Sequence, residues 1–481
     1  MTSPTPALDP LRWRILTVLA LAQFMVVLDV TIVNVALPDI QADLGFSTTG
    51  LQWIVNAYTL AFGGLLLLGG RAADILGRRR LFAGGLALFV GASLVAGVSS
   101  SPEMLIVART VQGIGAALLS PAAFALLQVT FPPGKERNAA LGIWGGLAGL
   151  GGTLGVIAGG VLVDGLGWEW IFFVNLPIGV VALALTPRLV RESHGSGLRS
   201  FDVAGAALST LGVVSLVYGV IRAGELGWGS TEALGLLVAA VVLLAAFVAV
   251  ELRTAAPLVP MRLFRSRSLS VSLVALALNG SAFLAMFFLS AIFLQSVRGD
   301  SAFEAGIQFV PMGVTAVLAA VIGGNLVTRI GTKPVFIAGS VLSAIGLLLL
   351  SRATADGSYL AEIMPGFLIF GAGMSLIGTS NQIAAVLDVP HEDAGAASGV
   401  ISAGFQIGGA FGLAVITTLS TSATTDALAK GTAQSPALVD GFQYGLVAAA
   451  VVALANLVLA VTVAPTAVPD EEEVAEAMVA A

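Results

Sequence analysis

Fourteen apolar runs, each of about 20 residues, constrain the fold of this chain more than any other feature. A run of that length crosses a bilayer as an α-helix. Hydrophobic residues make up 57% of the chain and charged residues 10%, whereas soluble domains carry about 25% charged residues. Because the backbone must satisfy its own hydrogen bonds in hydrocarbon, and the runs do not alternate apolar with polar residues, we predict an all-α polytopic membrane protein. The predicted spans are 14–37, 51–70, 80–98, 104–127, 138–162, 169–187, 202–222, 233–251, 269–294, 305–328, 334–351, 360–386, 396–419 and 441–464.

Residue counts and motifs disfavour several kinds of chemistry. The chain has no cysteine, which excludes disulfides and cysteine-ligated metals. Its two histidines, His194 and His391, both fall in predicted loops, so a histidine metal site or a Ser-His hydrolytic triad is not expected. Neither paired acids at membrane depth nor a Gly-x-x-x-x-Gly-Lys-[Ser/Thr] loop occurs. We therefore expect neither an enzyme nor an ATP-driven pump, and no metal or cofactor.

Lysine and arginine are distributed unevenly between the two sides of the predicted bundle. With the N-terminus inside, 17 of the 22 basic residues lie in cytoplasmic segments, four lie outside and Arg109 lies within a span. The positive-inside rule predicts this orientation, and an even number of spans places the C-terminus inside as well. The first run lacks a signal-peptide cleavage pattern, so we expect it to be retained. The composition, rich in alanine and glycine with arginine favoured over lysine, suggests the cytoplasmic (inner) membrane of a high-GC bacterium.

A basic hairpin framed by glycines occurs twice, at residues 70–80 and 324–333, with an offset of 254 residues. Six spans end near residue 187, so a simple duplication of six spans would repeat after about 190 residues, and two extra helices account for the excess. Parallel six-helix repeats are known from transporters, whose sites lie between the repeats. We predict an N-terminal six-helix bundle at 1–190, two inserted transmembrane helices at 191–266, a C-terminal six-helix bundle at 267–465 and an acidic cytoplasmic tail at 466–481.

Two charged residues, Asp29 and Arg109, fall inside predicted spans 1 and 4. Charge at membrane depth is costly and usually faces a bundle interior or a cavity. The helical rise places the two residues about 12 Å and 8 Å from the outer ends of their spans, so they are able to pair. An aspartate in a cavity that alternates between wet and closed can take up a proton on one side and release it on the other. The alternative is a permanent ion pair that locks the two spans. Asn34, Gln112 and Asn175 are milder polar positions, which favour contacts between helices.

The first hairpin combines charge with glycine. Asp74 and Arg78 lie one helical turn apart, and such a pair can clamp neighbouring helix ends in one state and release them in another. The alternative is that the basic residues only mark topology, which leaves Asp74 and the flanking glycines unexplained. The predicted conformational latch consists of Gly70, Asp74, Gly77 and Arg78.

Motifs along nearly the whole chain resemble the major facilitator superfamily, and specifically its 14-span drug:proton antiporters. Residues 28–38 resemble the first-helix motif of that group, and the first hairpin matches the cytoplasmic loop motif of the superfamily. Residues 109–113 resemble the fourth-helix motif, whose arginine is associated with proton coupling. The stretches 168–179 and 397–409 are also similar to this group. The glycine ladder resembles the fifth-helix antiporter motif; it consists of Gly151, Gly155, Gly159 and Gly160.

The resemblance implies the major facilitator fold, here two six-helix bundles plus two inserted central helices, with proton coupling at Asp29 and Arg109. The chain departs from the family pattern at three positions. Val156 replaces a proline that bends the fifth helix, and Glu169 stands where an arginine is common between two tryptophans. Thr328 stands where the second hairpin would repeat Asp74, so we expect an asymmetric latch.

We therefore expect a proton-coupled secondary transporter that exports hydrophobic small molecules, such as drugs, antibiotics or toxic metabolites, by alternating access. The expected partners are the substrate, protons and lipid, with no nucleic acid, and the proton gradient is the energy source. We expect a monomer. Proton-coupled uptake of a solute is an alternative, although a cavity for sugars would be expected to be more polar. A non-transporting membrane sensor is a distant alternative, because the sequence contains no sizeable soluble domain. The residues predicted to line the substrate cavity are Phe24, Trp53, Tyr58, Gln112, Phe283, Phe287 and Gln295.

Overall fold

Long helices follow the predicted spans closely in the computed structural model of the chain. The structure describes residues 10–464 except 47, 133, 195–201, 255, 256, 388, 391 and 392, so the predicted acidic tail and His391 lie outside the described residues. The described helices are α1 (Arg12–Leu44), α2 (Thr48–Leu76), α3 (Arg78–Gly97), α4 (Pro102–Thr130), α5 (Lys135–Leu166), α6 (Trp170–Phe173), α7 (Asn175–Leu189), α8 (Val203–Leu226), α9 (Thr231–Glu251), α10 (Arg267–Ile292), α11 (Ala302–Gln308), α12 (Val310–Ile330), α13 (Thr332–Leu350), α14 (Met364–Val386), α15 (Ala394–Ala429) and α16 (Gln434–Thr462).

The number of membrane-crossing segments agrees with the prediction of fourteen. Within the described residues, thirteen helical segments are long and apolar enough to cross a bilayer, and α5 supplies a fourteenth although it bends by 41° between Gly152 and Ile157. The bend lies in the glycine ladder, and glycines are a recognised cause of sharp helix bends. The helix therefore bends without the motif proline that Val156 replaces.

Three predicted spans are interrupted rather than continuous, which corrects their description as single helices. Spans 169–187 and 305–328 are each divided, at Val174 and at Phe309, and span 360–386 begins with one wide turn at Tyr359–Ile363. Pro311 and Pro365 lie in the first turns of α12 and α14. Proline lacks an amide donor and is tolerated in a first turn, where that donor would have no helical partner, so a new helix starts at these places.

The two six-helix bundles meet along two seams, α2 with α15 and α5 with α12. At the second seam a Cβ at Gly142 would lie 2.7 Å from the carbonyl oxygen of Ala320, and one at Gly324 would lie 2.6 Å from that of Asn138. At the first, a Cβ at Gly399 would lie 3.0 Å from the carbonyl oxygen of Leu66. Small residues thus bring the two bundles to backbone contact.

The inserted helices α8 and α9 pack on one another, and α8 lies against the seam between α2 and α15. The ring of Trp53 on α2 packs 5.7 Å from that of Tyr218 on α8, measured between centroids. On the other side of the seam, the indole Nε1 of Trp228 donates to Thr418 Oγ1 on α15 at 3.0 Å. The inserted pair therefore contacts both bundles.

Candidate functional site

Asp29 on α1 and Arg109 on α4 form an ion pair inside the first bundle. The Nη1 atom of Arg109 donates to Asp29 Oδ2 at 2.5 Å, and the two side chains are 0% and 1% exposed. The sequence predicted that the pair was feasible, and the structure brings the two groups together. Their burial means that water has no access to the carboxylate in this conformation.

Neutral polar side chains from three helices complete the surroundings of Asp29. Its second oxygen, Oδ1, accepts from Gln112 Nε2 at 3.2 Å and from Asn175 Nδ2 at 3.1 Å. Both amides also donate to Ser93 Oγ, at 2.7 Å and 3.3 Å. Gln112, predicted to line the substrate cavity, therefore belongs to the ion-pair network instead. Ser93 was not predicted, because a lone serine in an apolar helix gives no signal.

Arg109 is held in place by α2 as well as by Asp29. Its Nε donates to the carbonyl oxygen of Ile54 at 3.1 Å, and its Nη1 also reaches Gln112 Oε1 at 3.0 Å. The guanidinium lies over the ring of Tyr58, with Cζ 4.4 Å from the centroid, an arrangement that stabilises a buried cation. If Asp29 becomes neutral, the arginine retains these contacts and need not move into water.

The first hairpin is tied to the opposite bundle through Asp74. Its Oδ1 accepts two bonds from Arg78, from Nε at 3.0 Å and from Nη2 at 2.7 Å, and both side chains are buried. Its Oδ2 accepts from the backbone amide of Ala396 at 3.2 Å, in the first turn of α15. The carboxylate therefore links the end of α2 to the positive end of a helix in the second bundle.

A carboxylate that was not predicted supports the same hairpin from the segment that follows α7. Glu192 accepts from the backbone amides of Arg79 at 3.0 Å and Arg80 at 3.2 Å, which caps the start of α3. Gly77 has a φ of 105°, in the region that favours glycine, and a Cβ there would lie 2.8 Å from Glu192 Oε1. Glycine at this position thus permits both the turn and the cap.

The glycine ladder packs α5 against α1. The hydroxyl of Thr31 on α1 lies within hydrogen-bond distance of two carbonyl oxygens, that of Leu28 at 3.0 Å and that of Gly151 on α5 at 3.2 Å. A Cβ at Gly155 would overlap the same hydroxyl. Gly159 lies against Val35 one turn further along. Gly160 instead faces α11, where a Cβ would lie 3.3 Å from Phe303.

A cavity of about 190 Å³ lies between the two bundles. It is mostly apolar, and the lining residues that the structure describes carry no charge. Its volume is below the 300–1,000 Å³ typical of sites for drug-sized ligands, so such a ligand requires the bundles to part. Its lining includes Gln23, Val27, Val30, Thr31, Phe62, Ser120, Phe124, Trp144, Leu276, Asn279, Phe283, Met374, Gln382, Ile401, Ser402, Phe405 and Gln406.

Of the seven residues predicted to line this cavity, Phe283 does so, and the structure places the other six elsewhere. Tyr58 and Gln112 contact Arg109, and Gln295 is exposed. The aromatic side chains pack against other rings or apolar groups: Trp53 on Tyr218, Phe287 on Phe309, and Phe24 in the apolar cluster around Ile32. Aromatic side chains on an apolar helix pack equally well on any face, so the sequence gives no sign of which of them line the cavity in this conformation.

Comparison with known proteins places the chain in a family. The model of the Major Facilitator Superfamily matches residues 19–413 and 301–479. The puromycin resistance protein pur8 of Streptomyces alboniger is 37% identical over 97% of this chain and 93% of its own length. The cephamycin export protein CmcT of Amycolatopsis lactamdurans is 40% identical over 84% of each chain. A crystal structure of the human organic anion transporter MFSD10 (TETRAN) shares the fold, with a TM-score of 0.64 at 16% identity over 94% of this chain and 100% of its own. The protein is a multi-pass membrane protein and belongs to the major facilitator superfamily.

Proposed function

We propose that the protein is a proton-coupled exporter of hydrophobic small molecules, of the drug, antibiotic or toxic-metabolite class. It works by alternating access as a monomer in a bacterial cytoplasmic membrane, with both termini in the cytoplasm and the proton gradient as its energy source. Relatives named for puromycin resistance and cephamycin export support the direction of transport and the substrate class. The apolar cavity between the two bundles supports a small-molecule substrate of low polarity.

One observation carries the coupling mechanism: α1 contributes both to the ion pair and to the cavity. Asp29 bonds to α4 and α7, whereas its neighbours Val30 and Thr31 line the cavity. Any shift of α1 that follows a change at Asp29 therefore also changes the cavity wall. The bond from Thr31 to Gly151 transmits the same shift to α5.

Proton binding at Asp29 would act by removing the charge that attracts Arg109. The buried and paired carboxylate is closed to water in this conformation, so the proton would enter in a conformation that opens the pocket to water on the outer side. A proton drives the change only by binding the two conformations with different affinity. A tenfold difference in proton affinity supplies about 1.4 kcal/mol for each proton.

The hairpins would set which side of the cavity is open. In this conformation both hairpins are bonded to the opposite bundle, through Asp74 to Ala396 and through Thr328 to Asn138. With the proposed orientation, these contacts close the cytoplasmic side. Entry of substrate from the cytoplasm then requires that they break, which is the proposed role of the latch.

A susceptibility and efflux assay tests the proposed function. Wild type, Asp29→Asn and an empty vector are compared in a pump-deficient bacterium, with a panel of apolar antibiotics and dyes and with or without a protonophore. We expect wild type to lower accumulation of at least one compound, and both the protonophore and Asp29→Asn to abolish that effect. Increased accumulation in wild type would instead support uptake, and export that survives the protonophore would contradict proton coupling.

A further inference from the structure

Four polar side chains in the cavity wall have buried atoms without a hydrogen-bond partner among the residues that the structure describes. They are the amide oxygens of Gln23, Asn279 and Gln382 and the hydroxyl of Ser120, which we call the polar quartet. Asn279 and Ser120 are 3% and 4% exposed. Burial of a polar atom without a partner is costly, so a group that supplies the missing bond is bound preferentially.

The orientation of Asn279 defines which kind of group it can accept. Its Nδ2 donates to the carbonyl oxygen of Met374 at 3.3 Å, whereas its Oδ1 has no hydrogen-bond partner among the described residues. An amide oxygen is an acceptor, and the same holds for the unpartnered oxygens of Gln23 and Gln382. The three amide oxygens are therefore complementary to hydrogen-bond donors such as hydroxyl, amine N–H or amide N–H groups, and the Ser120 hydroxyl can also accept from such a group.

The quartet is divided between the two bundles. Gln23 on α1 and Ser120 on α4 belong to the first, and Asn279 on α10 and Gln382 on α14 belong to the second. A ligand with donors on both sides can bond to both bundles at once. Such a ligand would favour a conformation in which the bundles have parted enough to admit it and are still near enough for both sets of bonds to form.

Charge in the cavity wall further restricts the ligand. The described lining residues carry no charge, and the charges of Asp29 and Arg109 are paired with each other. A permanent cation would be taken out of water without a counter-charge, which is costly. A neutral molecule avoids this cost.

We infer that the polar quartet selects uncharged, apolar-bodied molecules that carry two or more hydrogen-bond donors, and that permanent cations and donor-free molecules are poor ligands. This inference rests on the proposed function, since it assigns the substrate class of the same cavity. The bulk of the cavity wall, including Phe62, Phe124 and Phe283, would contact the apolar body. The quartet would contribute selectivity, because a site built to bond a donor rejects an analogue that lacks it.

Equilibrium binding to the purified full-length protein in lipid nanodiscs tests the inference without a proton gradient. The probes are chloramphenicol and a set of phenolic and diol aromatic compounds of graded size, each paired with its O-methylated analogue, together with the donor-free cation tetraphenylphosphonium. We expect donor-bearing probes to bind at least tenfold more tightly than their methylated analogues and than the cation. Equal binding within the pairs, tight binding of the cation, or binding of none of the probes would overturn the inference.

Variants then locate the selectivity in the quartet. Asn279→Leu and Gln382→Leu, each removing one acceptor, are expected to weaken binding of donor-bearing probes about five- to tenfold and to leave the methylated analogues unchanged. Asn456→Leu is the matched control, because Asn456 is also buried, donates to a backbone carbonyl and has an unpartnered oxygen, but lies outside the cavity lining. Equal effects of Asn456→Leu and Asn279→Leu would show a general packing effect and contradict the inference.

Gradient-driven transport in proteoliposomes separates this inference from the proposed function. Donor-selective binding without proton-driven export would contradict the proposed function only. Proton-driven export that does not distinguish donor-bearing from methylated probes would contradict the inference only. Should a leucine variant fail to fold, Ser120→Ala, which removes one hydroxyl, supplies the same comparison with a smaller change.

Discussion

Asp74 and Thr328 lie 254 residues apart and hold equivalent positions, each accepting a hydrogen bond from the opposite bundle. Asp74 accepts from the backbone amide of Ala396 at 3.2 Å, and Thr328 accepts from the Nδ2 of Asn138 at 3.0 Å. Only the first of these contacts involves a carboxylate, which is itself held by Arg78. Of the two contacts, the one through Asp74 is therefore expected to contribute more to closure at this end.

Asp74→Asn should open the hairpin end of the protein. The change removes the charge of one partner of a buried ion pair, which costs on the order of 3–5 kcal/mol. The closed conformation is destabilised more than the open one, because Arg78 is hydrated when the latch opens. The chain has no cysteine, so Ser402→Cys in the cavity provides a unique thiol. We expect at least tenfold faster labelling of that thiol by a membrane-impermeant maleimide applied from the cytoplasmic side of inside-out vesicles.

Arg79→Gln is the control for this experiment. The Arg79 side chain is 33% exposed, and its Nε lies 3.7 Å from Glu192 Oε2, so this long and partly exposed ion pair is expected to contribute little. The protein that carries both Arg79→Gln and Ser402→Cys should be labelled at the same rate as the protein that carries Ser402→Cys alone. Equal labelling of the Asp74→Asn and Arg79→Gln variants would show that the latch does not close this side.

Gly155→Ala should disrupt the contact between α1 and α5. A Cβ at this position would overlap the hydroxyl of Thr31, whereas one at Gly165, on the same helix, has open space around it. We expect Gly155→Ala to lower the melting temperature and the transport rate, and Thr31→Ala to restore part of both. Gly165→Ala should be neutral or stabilising by up to about 1 kcal/mol, since alanine favours helix. Similar melting temperatures for the two alanine variants would contradict the close packing seen here.

Arg109→Lys should impair transport although it preserves the charge. Arg109 uses a fork of donors to reach Asp29, Gln112 and the backbone of Ile54, and an ammonium group cannot reproduce that geometry. We expect at least a tenfold decrease in proton-driven efflux at unchanged expression. Efflux equal to that of wild type would mean that only the charge at this position matters.

Trp228→Phe tests whether the inserted helices are bonded to the second bundle. The change removes the indole donor that reaches Thr418 and preserves most of the apolar surface. We expect a loss of about 1 kcal/mol in the free energy of unfolding, and the same loss for Thr418→Val. Because both changes remove the same hydrogen bond, the double variant should lose no more unfolding free energy than either single variant. Additive losses would indicate that the two side chains act independently.

The sequence was sufficient to predict the fourteen spans, because their length and hydrophobicity are set by the bilayer. It was also sufficient to single out Asp29 and Arg109, because charge is rare at membrane depth. It did not predict Ser93, Asn279 or Gln382, since one neutral polar residue in an apolar helix is equally compatible with a contact between helices. Helices that are apolar on every face give no sign of which face meets lipid and which lines a cavity. Only the packing of the two bundles distinguishes them.

Proton coupling through Asp29 is the central claim, and one measurement tests it most directly. Wild type and Asp29→Asn are reconstituted in proteoliposomes with a substrate found in the efflux assay. Net transport is measured with an imposed pH gradient, and exchange of labelled for unlabelled substrate is measured without a pH gradient. We predict that the pH gradient accelerates wild-type transport, and that Asp29→Asn retains exchange but shows no acceleration. Acceleration of the Asp29→Asn variant by the pH gradient to the wild-type extent would contradict the claim.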